Sequence, residues 1–379
     1  MTPSVGVIGG GQLARMMIPP AVALGIELRV FAEGDGESAQ LAVTGQGDYR
    51  ILDDLVDFCE SVDVVTFDHE HVPQSVLTGL IERGVTVRPG PHALAFAQDK
   101  LDMRRRLSEL GLPVPDWAEI SSPEQLEEFL AAHGGRAVLK TPRGGYDGKG
   151  VRLISAAAEA EDWFRVLAED GRGGSLLAEE VVSFRRELSQ VLARRPSGEL
   201  ALWPLVESVQ RQGVCAEVIA PAPGIRGTRL ADVAGDVATA IAEQLDVTGV
   251  LAVELFETTD DRILVNELAM RPHNSGHWTI EGSTTSQFEQ HLRAVLDWPL
   301  GATGCVADWT VMINVFGTDS DVPMPGHYAS ALADQPTVKF HSYGKDPRPG
   351  RKLGHVTALG DDLDDVAFRA RAAAEFFEG

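Results

Sequence analysis

Between Ser4 and Arg88 short apolar runs alternate with amphipathic ones, and that rhythm leaves few folds open. Ser4–Ile8, Glu27–Phe31, Asp63–Phe67 and Val85–Arg88 read as strands. Gln12–Ile18, Leu52–Glu60 and Gln74–Arg83 lie between them with helical spacing. Strands separated by crossover helices predict a parallel sheet, an α/β arrangement. Pro19-Pro20 should kink or end the first helix, because proline lacks the N–H and crowds the preceding turn. From Lys100 the pattern mixes helices (Leu101–Leu110, Pro123–His133) with hairpin-like strands, an α+β pattern. It changes again near Gly301, where strands at Thr310–Phe316, Thr337–Phe340 and His355–Ala358 precede a closing helix, Leu363–Phe377. A chain of 379 residues has ample length for two or three domains.

The formal net charge of −23 argues against general nucleic-acid binding, so an anionic ligand needs a local basic patch. Three separated cysteines, Cys59, Cys215 and Cys305, give neither a disulfide framework nor zinc spacing. No stretch has the length of a membrane span, and the N-terminus enters a strand-like run at once. These features predict a reduced, cytoplasmic protein.

Lysine is scarce, with six against twenty-seven arginines. The lysines concentrate at Lys140/Lys149 and Lys339–Lys352, where a compact mobile charge has a use that an arginine fork lacks. In Ala137–Val151 a strand-like run ends on Lys140, and Gly144, Gly145, Gly148 and Gly150 then surround Tyr146, Asp147 and Lys149. Such glycines let a backbone close over phosphate, with lysine supplying charge. A basic surface turn would read the same way.

Gly9–Ala14 fits G-x-G-x-x-A after a strand, and Glu33 follows the second strand. This matches a dinucleotide fingerprint, or equally a glycine turn whose helix N-terminus meets another anion. Leu251–Phe256 and Ile263–Leu268 read as a hairpin. A turn centred between Asp260 and Asp261 pairs residue 254 with 267, leaving two glutamates roughly 5 Å apart at Cβ. Like charges so placed repel unless a cation lies between them, and oxygen ligands suit Mg2+. Asn266 can add a contact, and Arg271, His273, Asn274 and His277 crowd polar groups just beyond. Lys339–His355 holds five lysines and arginines against one acid, Asp346, so Arg348, Arg351 and Lys352 could grip phosphate. In Glu179–Glu187 a strand ending on acids meets a polar turn, suited to an adenine edge and ribose hydroxyls.

The order of these motifs resembles the ATP-grasp superfamily, and within it the branch that carboxylates a purine-pathway ribonucleotide. GGGQL at Gly9–Leu13, TFDHEHVP at Thr66–Pro73, GGYDGKG at Gly144–Gly150, RPHNSGH and SQFEQHLRAVL within Arg271–Leu296, and RPGRKLGHVT at Arg348–Thr357 carry the resemblance, which runs from Ser4 to Gly360. It implies an ATP-grasp fold with an N-terminal parallel-sheet pre-ATP-grasp domain (1–98), an ATP-grasp domain (99–303) and a small C-terminal domain (304–379).

It also implies roles. ATP would be held by Lys100, Lys140, Gly145, Tyr146, Asp147, Gly148, Lys149, Gly150 and Val151. Glu179, Glu180, Val181 and Val182 would read adenine and Glu187 the ribose, with Gln210, Asn266 and Glu267 also on the nucleotide. Glu254 and Glu267 would hold Mg2+. Gln12, Leu13, Glu70, Tyr146, Asp147, Lys345, Arg351 and Lys352 would bind 5-aminoimidazole ribonucleotide, with Asn274 and Arg348 beside them. Arg271, His273 and Lys345 would surround the bicarbonate-derived group as catalytic residues. Lys100 stands where arginine is usual in that family, and Gln210 where histidine is common. The implied reaction is ATP- and bicarbonate-dependent carboxylation of the ribonucleotide's exocyclic amine through carboxyphosphate. A homodimer, with transfer of product to a downstream mutase, belongs to the same expectation. A formate-dependent phosphoribosylglycinamide formyltransferase and an NAD(P)-dependent oxidoreductase are the alternatives.

Overall fold

Ser4–Ile8 lies at the centre of a four-stranded parallel sheet, between Glu27–Ala32 and Val64–Phe67, with Val43–Gln46 at the far edge. All five residues of the central strand are buried, as expected where helices cover both faces of a sheet. The computed structural model describes residues 2–144, 150–169, 174–211 and 213–377. Residues 145–149 are not among them, so the expected contacts of Gly145, Tyr146, Asp147, Gly148 and Lys149 lie outside the described residues.

The parallel order of the N-terminal segment matches the sequence reading, with Val43–Gln46 an added strand and two further corrections. Val85–Arg88 forms only an isolated parallel bridge, Val65 to Val87, rather than a strand. The first helix runs unbroken over Gln12–Leu24, through both prolines. Pro19 is exposed and Pro20 half-buried, while Leu13, Ala14, Met16, Met17 and Ala21 are buried on the other side. Packing of that apolar side against Phe288, Leu292 and Val295 outweighs the lost backbone bonds.

A small antiparallel sheet follows, ordered Trp117–Ile120, Leu176–Glu179, Ala137–Lys140, Val151–Ile154. The large sheet begins at an edge strand, Ile263–Ala269, then Gly249–Thr258, Phe184–Arg194, Val206–Arg211 and Val214–Ala220. The C-terminal strands Trp309–Phe316, Lys352–Gly360 and Lys339–Ser342 continue it, joined through Val214–Ala220. The C-terminal segment therefore extends the central sheet.

Buried side chains dock the N-terminal sheet on this frame. His291 Nδ1 accepts the Val250 N–H (3.0 Å), which leaves its Nε2 proton for Thr66 Oγ1 (2.7 Å). Burial holds that imidazole neutral, with its pKa down to about 3. Arg15 reaches from the first helix to Ser342 O (3.0 Å) at the C-terminal strands. Among the described residues no helix is long and apolar enough to cross a membrane.

Candidate active site

Glu254 pairs directly with Glu267 across the strands Gly249–Thr258 and Ile263–Ala269. The expected pairing is met, but by another route. The turn holds three residues, 259–261, with Thr258 N–H bonded to Arg262 O (2.9 Å) and Asp261 at φ 61°. Counting back from that turn, Leu255 pairs with Val265, one residue out of the predicted register. A bulge then inserts Asn266, and the extra residue brings Glu267 opposite Glu254.

Glu187 shares this face on the neighbouring strand, paired with Phe256, while Ser189 lies directly opposite Glu254. Burial, Glu267 and Glu187 push the Glu254 carboxyl up to about 8. Burial pushes Glu187 up to about 7, with Lys140 working against it. Acids crowded enough to resist ionisation form a donor set that a divalent cation would relieve. Among the described residues no group of three or more His, Cys, Asp or Glu side chains could hold a metal ion by itself. An ion on Glu254 and Glu267 would complete its shell from water and phosphate oxygens, the usual habit of Mg2+.

Cations from the small sheet side meet this pair. Lys100, in the first turn of the helix Lys100–Glu109, forms an ion pair with Glu267. Lys140, ending Ala137–Lys140, bonds Glu179 (2.6 Å) and Asn266 Oδ1 (3.2 Å). Burial opposes the Glu179 charge, but Lys140 and Arg104 outweigh it and hold the carboxyl down at about 2. Both Glu179 oxygens are thus committed, and its backbone lies in the ladder between Trp117 and Val138.

His273 faces Glu254, with Nε2 3.3 Å from Oε1. Ser275 offers its hydroxyl (2.8 Å) and backbone N–H (3.4 Å) to Nδ1, which assigns the ring proton to Nε2, and Ser189 in turn bonds Ser275 (2.7 Å). Burial, then Arg271 and Lys352, bring the His273 pKa down to about 3. Gln287, at the start of Gln287–Val295, takes the His273 N–H (2.9 Å) and donates to its carbonyl (2.7 Å), fixing the loop.

Arg271 donates through Nε to Glu70 Oε2 (2.9 Å), and Met270 N–H meets Glu70 Oε1 (2.8 Å). Burial works against the Arg271 charge, while Glu70 and Asp68 raise its pKa. Lys345 meets Gln12 Oε1 (2.7 Å) and acts electrostatically on Asp68, so the C-terminal basic loop reaches the N-terminal glycine turn. These interactions run from Glu254 through Arg271 and Asp68 to Lys345 and Gln12, so groups carried by all three sheets meet in one region.

The sequence matches the ribonucleotide synthetase preATP-grasp domain over residues 1–98, the ATP-grasp domain over 105–288 and the phosphoribosylaminoimidazole carboxylase C-terminal domain over 310–369. It is 49% identical over 380 residues to an N5-carboxyaminoimidazole ribonucleotide synthase of Mycobacterium tuberculosis, covering 99% of this chain and 88% of that protein. The chain belongs to the N5-carboxyaminoimidazole ribonucleotide synthase family. The Thermus thermophilus synthetase superposes with a TM-score of 0.87 at 36% identity, covering 99% of this chain and 98% of the other. An Aspergillus clavatus synthase in complex with ADP and 5-aminoimidazole ribonucleotide superposes at 0.88 with 28% identity and the same coverage.

The remaining expected site residues take varied places. Asn274 is buried, and its amide is tied reciprocally to Asn314 (3.0 and 2.6 Å), so its expected substrate contact is withdrawn. The Leu13 side chain is buried in the apolar cluster under the first helix, leaving only its backbone for a ligand. Arg348 is exposed, and Arg351 bonds Asp346 O (3.1 Å). Lys352 acts electrostatically on His273 and Glu254. Gln210 bonds Ser208 (3.0 Å) on its own strand, Val206–Arg211. Glu180 accepts the Asp116 N–H (3.0 Å), Val181 is exposed and Val182 half-buried. Gly150 and Val151 stand at the start of the strand Val151–Ile154, where Thr141 N–H meets Gly150 O (2.9 Å).

The glycine turn does not open onto a dinucleotide. Asp68 Oδ1 accepts the Ala14 N–H (2.7 Å) at the first turn of Gln12–Leu24. A Cβ on Gly11 would collide with the same carboxylate, which explains that glycine. Glu33, the candidate ribose acid, is paired with Arg50 (2.9 Å) at the surface. Sequence reasoning missed Asp68 and Arg104. Asp68 directly follows a buried strand, two residues before Glu70, and Arg104 lies on the apolar stripe of its helix with Leu101 and Leu107.

Proposed function

We propose that this chain, an ATP-grasp carbon–nitrogen ligase, uses ATP and bicarbonate to carboxylate the exocyclic amine of 5-aminoimidazole ribonucleotide. The products are N5-carboxyaminoimidazole ribonucleotide, ADP and phosphate. The observation that carries this reading is the facing pair Glu254/Glu267, with Lys100 and Lys140 beside it, His273 against Glu254 and Arg271 within electrostatic reach. Family membership and the ribonucleotide-bound relative support the substrate.

Bicarbonate is a poor electrophile at neutral pH because hydroxide leaves badly. Attack by a bicarbonate oxygen on the γ-phosphorus gives carboxyphosphate and ADP, and phosphate then becomes the leaving group. Mg2+ held by Glu254 and Glu267, with Asn266 beside them, would offset charge on the transferring phosphoryl group. Lys140, aimed by Glu179, would meet the phosphates, and Lys100 would balance Glu267. The ribonucleotide amine then attacks the carboxyl carbon, the C–O bond to phosphate breaks, and the amine loses a proton. Arg271 and Lys345 would stabilise the carboxylate being transferred. Neutral His273, with Nε2–H directed at Glu254, would orient that carboxylate and hold its proton at Nε2 rather than add a second charge beside Arg271.

The reading includes a cytoplasmic enzyme acting as a homodimer, which light scattering on the purified chain would test. Phosphate release with ATP, Mg2+ and the ribonucleotide should require bicarbonate. Equal release with formate and glycinamide ribonucleotide would favour the formyltransferase alternative and overturn the reading. A Lys345→Met variant that keeps full turnover would remove Lys345 from the carboxylation step.

A further inference from the structure

Arg104 is a fully buried side chain of the helix Lys100–Glu109, yet no catalytic expectation includes it. Its guanidinium bonds Glu179 through Nε, Val265 O through Nη1 (2.9 Å) and Asn266 O through Nη2 (2.7 Å). The two carbonyls belong to consecutive residues of the strand Ile263–Ala269, the edge strand of the large sheet.

Consecutive carbonyls of a regular strand point to opposite edges. Val265 faces outward, since its N–H also meets Pro113 O (2.8 Å). The Asn266 carbonyl should therefore turn inward, toward Gly249–Thr258. It turns outward to Arg104 because Asn266 is the bulge residue. Without the bulge, the register set at the turn would place Asn266 opposite Glu254 and Glu267 opposite Val253. Val253 is buried in the main apolar cluster, so Glu267 would be carried to the wrong face of the sheet.

The same guanidinium holds Glu179, whose other oxygen holds Lys140, whose Nζ returns to Asn266 Oδ1. The ring Arg104–Glu179–Lys140–Asn266 thus joins the small sheet to the large one. We propose that Arg104 is a positioning residue for the reaction: it fixes the bulge that puts Glu267 beside Glu254 and aims the phosphate-binding Lys140. This rests on the reading of Glu254/Glu267 as the Mg2+ ligands and of Lys140 as a phosphate contact. Arginine suits the task because a planar fork offers donors along several edges, whereas an ammonium offers them from one point.

The test compares full-length Arg104→Lys and Arg104→Gln with the parent chain and with Glu267→Gln. ADP binding is read by calorimetry with EDTA and across a Mg2+ series, and steady-state kinetics give KM for ATP and for the ribonucleotide. Arg104→Lys can keep the Glu179 contact but cannot span both carbonyls. It should need more Mg2+ for half-maximal ADP binding, and its KM for ATP should rise about tenfold, equivalent to about 1.4 kcal/mol. Its KM for the ribonucleotide should stay unchanged. Arg104→Gln should weaken ADP binding in EDTA as well, because Lys140 loses its guide. A crystal structure of Arg104→Lys should show Glu267 displaced from Glu254. If Arg104→Lys binds ADP with the parent's Mg2+ dependence, or fails to fold at all, the positioning role is wrong. If Glu267→Gln itself keeps the parent's Mg2+ dependence, it is the metal-site reading that fails.

Discussion

The Glu70 carboxylate holds Arg271, which lies 201 residues further along the chain, at 2.9 Å. One acid just beyond the N-terminal parallel sheet thereby sets the orientation of the site's arginine, while its second oxygen fixes the backbone of Met270. Gln98 braces Glu70 from behind, donating to its carbonyl (2.7 Å). Removing the carboxylate strands a half-buried guanidinium. Glu70→Ala should destabilise the chain by about 2 kcal/mol, discounted from the fully buried case because Arg271 keeps some solvent. Its kcat should fall about a hundredfold, equivalent to about 2.7 kcal/mol in barrier. Urea unfolding and turnover measured on the same preparation check both. Unchanged turnover would mean that Arg271 does not need Glu70.

The acid pair has a signature in pH. Glu254 is raised to about 8 and Glu187 to about 7 in the folded chain, above the ordinary glutamate value in the unfolded one. The pair's contribution to stability falls as pH rises from roughly 5 to 8, while buried His273 and His291, held neutral, work the other way below about pH 6.5. Melting temperature of the ligand-free protein should therefore decline from pH 7 to pH 8, where histidines are neutral in both states. Mg2+ with ADP should restore it most at the alkaline end, because ligation needs the ionised carboxylates. Binding at pH 7 should also release protons, seen as a dependence of calorimetric heat on buffer ionisation enthalpy. A flat melting profile above pH 7 would contradict the crowding.

Occupation of the first helix's N-terminus by Asp68 has a simple consequence. That carboxyl is drawn up to about 6 by burial, against the pull of Ala14 N–H, Arg271 and Lys345. A pyrophosphate placed on the same N–H groups would meet its charge at close range. NAD(H) and NADP(H) at millimolar concentration should leave the melting curve unmoved, while ADP with Mg2+ shifts it. A shift with NADH would reopen the oxidoreductase alternative.

Much of this was legible because buried parallel strands are unbroken apolar runs. Ser4–Ile8 and Leu52–Glu60 have the predicted bounds. The sequence was mute where packing overrides local preference. Pro19 and Pro20 sit on the outward side of a helix whose inward side is buried, so a strong breaker signal yields to tertiary contact. Val43–Gln46 lacks an apolar run and becomes a strand only by pairing with Glu27–Ala32. At the site, the Glu254–Glu267 pairing was reached through two compensating differences, a longer turn and a bulge. Asp261 fills the left-handed position where glycine would have signalled that turn. Arg104 was hidden within a run of three arginines that reads as a solvated face, and only its spacing from Leu101 and Leu107 marks it as buried.

Asn274 and Asn314 make the sharpest contrast between binding and architecture. Each side-chain N–H donates to the other's oxygen, and Asn314 also bonds Cys215 O (2.8 Å). The pair links the loop that carries Arg271 and His273 to the strand Trp309–Phe316. Asn314→Ala leaves the buried Asn274 amide without its partner, which should cost roughly 1–3 kcal/mol in urea unfolding. Gln287 still grips His273 from its other side, so the loop should keep its place in the folded enzyme. The ribonucleotide KM of Asn314→Ala should therefore stay within about twofold of the parent, less than 0.5 kcal/mol of lost binding. Asn274→Ala should behave alike in both measurements. A large rise in ribonucleotide KM for Asn274→Ala but not for Asn314→Ala, at equal stability, would show that the amide of Asn274 touches substrate after all.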